Sequence, residues 1–178
     1  KPEFKGEIIA PDPRKSGTGL TFISSVLQSM GEEKGWEYLK QLKGQVAQFT
    51  PSGFAPAQKT GAGEYLIALN FISDQMLVSQ KGQKIHSTIY KDAGWTLCPV
   101  SIIKNSADKE VAQAFVDYCL TKEAGEILVR TTNGVACNPD VAPPEGQKPL
   151  SELPLFKEYN MEKAGEDKQM NCDKFFAE

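Results

Sequence analysis

The sequence predicts an α/β fold in which a mostly parallel sheet is flanked by helices. Two observations support this prediction. Apolar residues recur at helical spacing in several stretches, and short apolar runs alternate with those stretches along the chain. One of these runs, residues 65–71, is almost continuously apolar, which is typical of a strand covered on both faces of a parallel sheet.

Composition excludes several classes of protein. The chain has 178 residues, 40% of them hydrophobic and 24% charged, with a net charge of −3. This balance is ordinary for a soluble globular protein and gives no reason to expect nucleic acid or an anionic membrane as a partner. No apolar run approaches the roughly 18 residues that a membrane span needs. Residues 1–6 lack the apolar core of a signal peptide, so we expect any targeting segment to have been removed or to lie upstream.

The first half of the chain alternates strand and helix. Leu20, Ile23, Leu27 and Met30 recur at helical spacing, and Gly31 closes that helix. In chain order we predict a strand at 8–9, helices at 20–30 and 33–43, a strand at 45–50, a helix at 55–60, a strand at 65–71, a helix at 75–80 and a strand at 85–90.

The chain changes character after Gly94. We predict a strand at 97–103, where Pro99 indicates either an edge strand or the first residues of the strand, followed by helices at 111–120 and around 124–128. From position 138 the sequence is rich in proline and reads as an extended wrap over a surface, ending in a short helix at 173–177.

A polar corner follows the first predicted strand. We call residues 16–19, Ser-Gly-Thr-Gly, the first corner. If Ser16 is the N-cap, Thr18 and Gly19 fall in the first turn, and their free backbone N–H groups face outward at the positive end of the helix dipole. Glycines let an anion approach, and the hydroxyls add donors. Two interpretations stay open: ordinary helix capping, or a cradle for an anion.

A similar corner follows another predicted strand. We call residues 50–53, Thr-Pro-Ser-Gly, the second corner; Ser52 supplies its hydroxyl. The carboxyl ends of parallel strands share one sheet edge, so the two corners are expected to converge. Asp74 and Asp92 follow two further predicted strands and are expected at the same edge. Each aspartate could equally be a helix cap or a solvated loop residue.

Enzyme and metal signatures are absent from the sequence. No Gly-Lys-Ser/Thr follows the glycines, no Gly-x-Ser-x-Gly elbow occurs, and the lone His86 lies at a predicted strand position, which favours a structural role. The four cysteines contain no Cys-x-x-Cys pair, which excludes a zinc finger, and Cys98 and Cys119 fit small buried hydrophobes. A disulfide between Cys137 and Cys172 remains open for an oxidising compartment.

A family resemblance covers nearly the whole chain. It is carried by Phe-Lys-Gly-Glu-Ile at 4–8, Asp-Pro-Arg-Lys-Ser-Gly-Thr-Gly at 12–19, Ser-Gly-Phe-Ala-Pro at 52–56 and Val-Ser-Ile-Ile-Lys at 100–104 followed by Ala-Gln-Ala-Phe-Val-Asp-Tyr at 112–118. In that order these segments resemble the second half of type II periplasmic solute-binding proteins of ABC importers. The similar branch is that associated with ferric iron, organophosphonates or sugar phosphates.

The resemblance implies a ligand held between two lobes that close about a hinge. It places Ser16, Gly17 and Thr18 at the family's anion corner, makes Ser52 a second contributor, and puts Asp74 and Asp92 among polar ligand contacts. Two departures stand out. Lys15 replaces a hydroxyl residue before Ser16, and Phe-Ile-Ser at 71–73 replaces the tyrosine pair of one class of iron binders, so chelation of bare ferric ion by tyrosines is not expected.

The resemblance also implies how the chain is divided. Residues 1–95 and 135–178 are expected to form the second lobe, and 97–133 to belong to a first lobe that is largely absent. Without that lobe an apolar stripe should be exposed, swapped with a second copy or docked on its own lobe, so we expect self-association or domain swapping. The stripe comprises Val111, Phe115, Cys119 and Leu120, with Ile102 and Ile103.

The functional expectation is a binding protein without catalysis, cofactor or resident metal. Its partners would be a small anionic solute and an ABC permease. The solute would carry a phosphate, phosphonate or carboxylate group, or would be ferric iron together with a synergistic anion. We expect the protein in the periplasm or another extracytoplasmic location, either free or held by a lipid anchor. The alternatives are a ligand-sensing domain of a signalling receptor with the same fold and an enzyme such as a phosphatase or esterase. The sequence does not identify the solute.

Overall fold

A computed structural model describes residues 1–177, which divide into two compact units. The first unit contains residues 1–96 and the C-terminal segment that starts at Pro154, and the second unit is Leu97–Leu153. The assignment of these segments to the two lobes of a binding protein stays a prediction.

The first unit carries all three strands and six of the helices of the described chain. Its elements are β1 (Ile8–Pro11), α1 (Gly17–Met30), α2 (Glu32–Lys43), β2 (Val46–Thr50), α3 (Ala55–Gly61), β3 (Ile67–Ala68), α4 (Ile72–Gln80), α7 (Met161–Glu166) and α8 (Lys168–Ala177). The second unit carries α5 (Lys109–Cys119) and α6 (Lys122–Thr132).

The strands form one parallel sheet in the order β2-β1-β3. Every residue of the central strand β1 is buried, as its uninterrupted apolar sequence requires. Its last residue, Pro11, pairs with Thr50 at the end of β2, so the carboxyl ends of both strands reach the same edge. The prediction of an α/β fold with a parallel sheet and flanking helices is confirmed.

The core lies where α1 packs on α2 and α8. Because α1 repeats apolar residues at helical spacing, Ile23 and Leu27 face this core, where they meet Trp36 and Leu39 of α2 and Phe175 of α8. Phe49 of β2 adds edge-to-face ring contacts with Phe175 and Phe176, whose ring centroids lie 5.7 and 5.4 Å from its own. The C-terminal helix is thereby fixed against the sheet.

The strand predicted at 65–71 is shorter than expected. Only Ile67 and Ala68 pair, with Ile8 and Ile9 of β1. Residues 83–90 are irregular where a strand was predicted, and that prediction is wrong. Their exposure still alternates residue by residue, as in an extended chain, although these residues pair with no strand of the described chain.

The second unit is a helical pair with irregular flanks. Asp108 caps α5 by accepting from the N–H of Val111 at 3.0 Å, and Thr121 caps α6 by accepting from that of Ala124 at 3.2 Å. Residues 97–103 are irregular and mostly exposed, so the strand predicted there is wrong. The proline-rich stretch from 138 onward contains only a short 3₁₀ turn, Leu150–Glu152, within this unit.

The C-terminal segment differs from its prediction in two ways. Helix α8 begins five residues before the predicted helix at 173–177, and α7 precedes it unpredicted. Cys172, on α8, is buried in the core, and the four cysteines are free thiols, so the Cys137–Cys172 disulfide is not formed. None of the helices among residues 1–177 has the length and apolarity that crossing a membrane would take.

Candidate functional site

The first corner forms the N-terminus of α1. Ser16 is the N-cap, with extended backbone angles, and the N–H of Leu20 donates to its carbonyl at 3.1 Å. Gly17 is exposed with open space around its Cα, whereas Gly19 is buried so tightly that a Cβ there would lie 2.6 Å from the Pro11 carbonyl oxygen. Gly19 thus seats the helix on the end of β1, and Gly17 leaves its free amides accessible.

The two predicted corners meet. A Cβ on Gly53 would overlap the Thr18 hydroxyl and lie 3.1 Å from the Ser16 hydroxyl oxygen. The bare backbone of the second corner therefore rests against both hydroxyls of the first. The convergence expected from two parallel strands ending at one edge is present, and Gly53 is the residue whose small size allows it.

The hydroxyls at this junction are not used for helix capping. Within the described part of the chain, the Ser16 side chain makes no cap hydrogen bond, although it is only 8% exposed. No hydrogen bond of the Thr18 hydroxyl is found among residues 1–177 either. Ser52 Oγ accepts from the N–H of Phe54 at 3.2 Å, which leaves its own O–H to donate. Among residues 1–177, the hydroxyl groups of Ser16, Thr18 and Ser52 therefore have no acceptor for their O–H groups.

A tight turn at residues 12–14 immediately precedes the first corner and is held by side-chain hydrogen bonds. Asp12 Oδ1 accepts from the backbone N–H of Arg14 at 2.9 Å and from its Nε at 3.0 Å, and Oδ2 accepts from Nη2 at 2.7 Å. These bonds hold the pKa of the Asp12 carboxyl below its usual value, against the opposing effect of burial. Sequence reasoning gave Asp12 and Arg14 no role; the spacing Asp-Pro-Arg, which suits a side-chain-to-backbone turn, was the available signal.

Asp74 and Asp92 were also expected at this edge of the sheet, but no hydrogen bond or ion pair among residues 1–177 joins them to the corners. Asp74 lies in the first turn of α4, and burial raises the pKa of its carboxyl. Asp92 has φ of 59°, a left-handed conformation that aspartate tolerates better than most residues. No hydrogen bond among residues 1–177 joins either one to Ser16, Thr18 or Ser52, so their roles remain predictions.

Possible metal ligands and nearby charged side chains further define the candidate site. Among residues 1–177 no group of three or more His, Cys, Asp and Glu side chains is arranged to hold a metal ion. Lys15, the departure from the family pattern, is exposed beside the first corner. The site is thus a junction of backbone amides with the hydroxyls of Ser16 and Thr18, next to Ser52, and no contact of the Lys15 ammonium with it is found among residues 1–177. Such amides and hydroxyls are groups that can hold an anion.

Comparison with known proteins decides the family. The model of the family described as "Bacterial extracellular solute-binding protein" matches residues 1–160. The chain belongs to this family. The resemblance to type II solute-binding proteins of ABC transporters is confirmed, and the family and its structural relatives are binding proteins, not enzymes.

Three relatives illustrate the match. The periplasmic binding protein AfuA from Actinobacillus pleuropneumoniae, with exogenous fructose-6-phosphate bound, superimposes on all of this chain with a TM-score of 0.89 at 30% identity. An uncharacterized protein of Haemophilus influenzae is 33% identical over 71% of the chain. The phosphoglycerate transport regulatory protein PgtC of Salmonella typhimurium is 24% identical over 75% of it.

The chain is shorter than these relatives. It spans 57% of the AfuA chain and 37% and 33% of the other two proteins.

Proposed function

We propose that the complete protein is the extracytoplasmic solute-binding component of an ABC importer and that it captures an anionic solute at the two converging corners. The solute class is one bearing phosphate, phosphonate or carboxylate, or ferric iron with a synergistic anion. The observation that carries the proposal is the contact of Gly53 with Ser16 and Thr18, whose hydroxyls do not cap their own helix. A capping serine would have used its oxygen on the N–H two or three residues on.

Electrostatics supports an anion at this place. The first turn of α1 contains no acidic residue, so the positive end of its dipole is not neutralised from within the helix. The Asp12 carboxylate nearby is paired with Arg14 at 2.7 Å, which removes the closest source of repulsion. Amides and hydroxyls arranged at a helix N-terminus are the means by which many folds hold phosphate.

The relatives favour phosphate within the broader class. AfuA is described with fructose-6-phosphate bound, and PgtC is named for phosphoglycerate transport. Both names carry a phosphate ester, so a phosphate monoester is the first solute to test. Carboxylate, phosphonate and iron–anion solutes stay within the proposal as the next candidates.

The proposed mechanism is hinge closure of two lobes over the solute, followed by delivery to a membrane permease. Residues 1–95 and 135–178 are proposed to belong to one lobe, and 97–133 to the other, whose main part lies outside this chain. The corners would supply half of an interlobe cleft. We propose a periplasmic or extracytoplasmic location, with or without a lipid anchor.

The test is titration calorimetry of fructose 6-phosphate and of inorganic phosphate into the complete protein. Ser16→Ala and Thr18→Val each remove one donor while nearly keeping the side-chain volume. We expect each variant to bind the better probe roughly 10- to 100-fold more weakly, since hydrogen bonds to charged groups contribute about 1.5–3 kcal/mol.

Ser29→Ala is the matched control because it removes a hydroxyl from the same helix that only donates to the carbonyl of Val26, at 3.4 Å. It should bind like the wild type. Equal affinities of Ser16→Ala, Thr18→Val and wild type for every phosphate ester that binds would contradict the placement of the anion at the corners.

A further inference from the structure

We infer that Asp12, Arg14 and Phe176, here called the bracket, are positioning residues that fix the separation of the two corners and thereby the affinity for the anion. This inference rests on the proposed function. None of the three side chains is placed in contact with the solute; each acts on the backbone that presents the donors.

Asp12 joins both corners through its backbone. Its N–H donates to the carbonyl of Thr50 at 2.7 Å, one residue beyond the last β1–β2 pair, and its carbonyl accepts from the N–H of Ser16 at 2.8 Å. Thr50 in turn donates from Oγ1 to the carbonyl of Ser52 at 2.8 Å. A shift of Asp12 would therefore move Ser16 and Ser52 together.

The Asp12 side chain is fixed by Arg14. The carboxylate is 7% exposed and receives two N–H bonds from the guanidinium and one from the Arg14 backbone. Planar guanidinium and carboxylate groups that meet through two parallel bonds hold each other in both distance and orientation. The turn at residues 12–14 is thereby held rigidly under the N-terminus of α1.

Phe176 closes the bracket from the C-terminal helix. The Arg14 guanidinium carbon lies 3.8 Å from the centroid of the Phe176 ring, a cation–π contact. That ring packs at 5.4 Å on Phe49, which immediately precedes Thr50 in β2. The Arg14 guanidinium therefore lies between the Asp12 carboxylate, with which it forms an ion pair, and the Phe176 ring.

A charge argument and a positioning argument predict opposite signs for Asp12→Ala. Removing a carboxylate beside an anion site, and leaving Arg14 unpaired, should strengthen anion binding if only charge matters. If the bracket positions the corners, the same change should weaken binding, because the turn that orients Ser16 and meets Thr50 loses its anchor. We expect weakening by at least about tenfold.

The experiment measures fructose 6-phosphate and inorganic phosphate binding by the complete protein and its variants Asp12→Ala, Arg14→Gln and Phe176→Leu. Phe176→Leu changes no charge and keeps the Asp12–Arg14 bonds, so it tests the bracket even if Asp12→Ala does not fold. We expect Phe176→Leu to weaken binding roughly threefold to tenfold. Circular dichroism confirms the fold of each variant, and titrations at low and at about 0.5 M salt separate screened charge effects from positioning.

Lys15→Gln is the control, because it removes an exposed cation from the same turn and leaves the bracket intact. It should change affinity less than about threefold, by an amount that shrinks with salt. Tighter binding by Asp12→Ala, or unchanged affinity of folded Phe176→Leu, would overturn the bracket while leaving the anion site standing. A wild type that binds neither probe would overturn both proposals.

Discussion

Gly53 lies so close to the first corner that a side chain at this position must displace a hydroxyl. A methyl group there would overlap Thr18 Oγ1 and crowd Ser16 Oγ. Thr18 can yield by rotating away from its preferred rotamer, at a cost of about 0.5–1.5 kcal/mol, but its hydroxyl then no longer faces the junction.

We therefore expect Gly53→Ala to fold with slightly reduced stability and to bind a phosphate ester about tenfold more weakly, because one oriented donor is lost. Calorimetry and melting curves measure the two effects. Gly165→Ala in α7 is the matched control, since a Cβ there meets open space. If Gly53→Ala and Gly165→Ala bind with equal affinity, the two corners do not act on one ligand.

At the scale of single elements, helix caps separate the two interpretations of Ser16. Asn160 caps α7 by accepting from the N–H of Lys163 at 2.9 Å, whereas Ser16 makes no such bond to α1. Both lie in the same compact unit. Replacing a working cap by alanine costs about 0.5–2 kcal/mol.

We expect Asn160→Ala to lower the free energy of unfolding by about 1 kcal/mol and Ser16→Ala to lower it by less than half of that. Denaturant titrations of the two variants and the wild type measure the difference. A Ser16→Ala variant that loses as much stability as Asn160→Ala would show that Ser16 is a structural cap after all.

The helices could be predicted from sequence because the information that forms them is local. The spacing of Leu20, Ile23 and Leu27 defines α1 without reference to the rest of the chain. Local spacing could not decide whether residues 85–90 and 97–103 form strands. A strand needs a ladder partner, and within the described chain neither segment has one, so the local sequence alone predicted more strands than form.

The candidate site was predictable in part for a related reason. The hydroxyls of Ser16, Thr18 and Ser52 follow β1 and β2, and parallel strands bring their ends together, so convergence followed from topology. The bracket depends on Phe176, which is far from Asp12 in sequence and reaches Arg14 only through the packing of α8. No local pattern reports such a contact.

At the scale of the whole molecule, the second unit exposes an apolar face. Val111, Phe115 and Leu120 around α5 are 65%, 60% and 61% exposed, and Ile103 is 78% exposed. Large apolar side chains exposed to this degree favour association with a partner surface in water.

We expect the 178-residue chain to self-associate at concentrations well above micromolar, as measured by light scattering, because this face is uncovered. Replacing Phe115 by Glu should reduce the association, whereas Lys109→Glu, at the start of the same helix, should not. A chain that remains monomeric throughout this range would contradict the expectation.

The way the second unit is joined to the first has an evolutionary consequence. The chain leaves the first unit after Thr96 and returns to it at Pro154. Within that unit the Ala93 N–H donates to the Pro154 carbonyl at 3.2 Å, and the Phe156 N–H donates to the Ala93 carbonyl at 3.0 Å. The first unit therefore holds together, by its own hydrogen bonds, the two places at which residues 97–153 leave and re-enter it. Because these hydrogen bonds lie within the first unit, the length of the segment between them could change from one relative to another while the sheet and both corners stay unchanged.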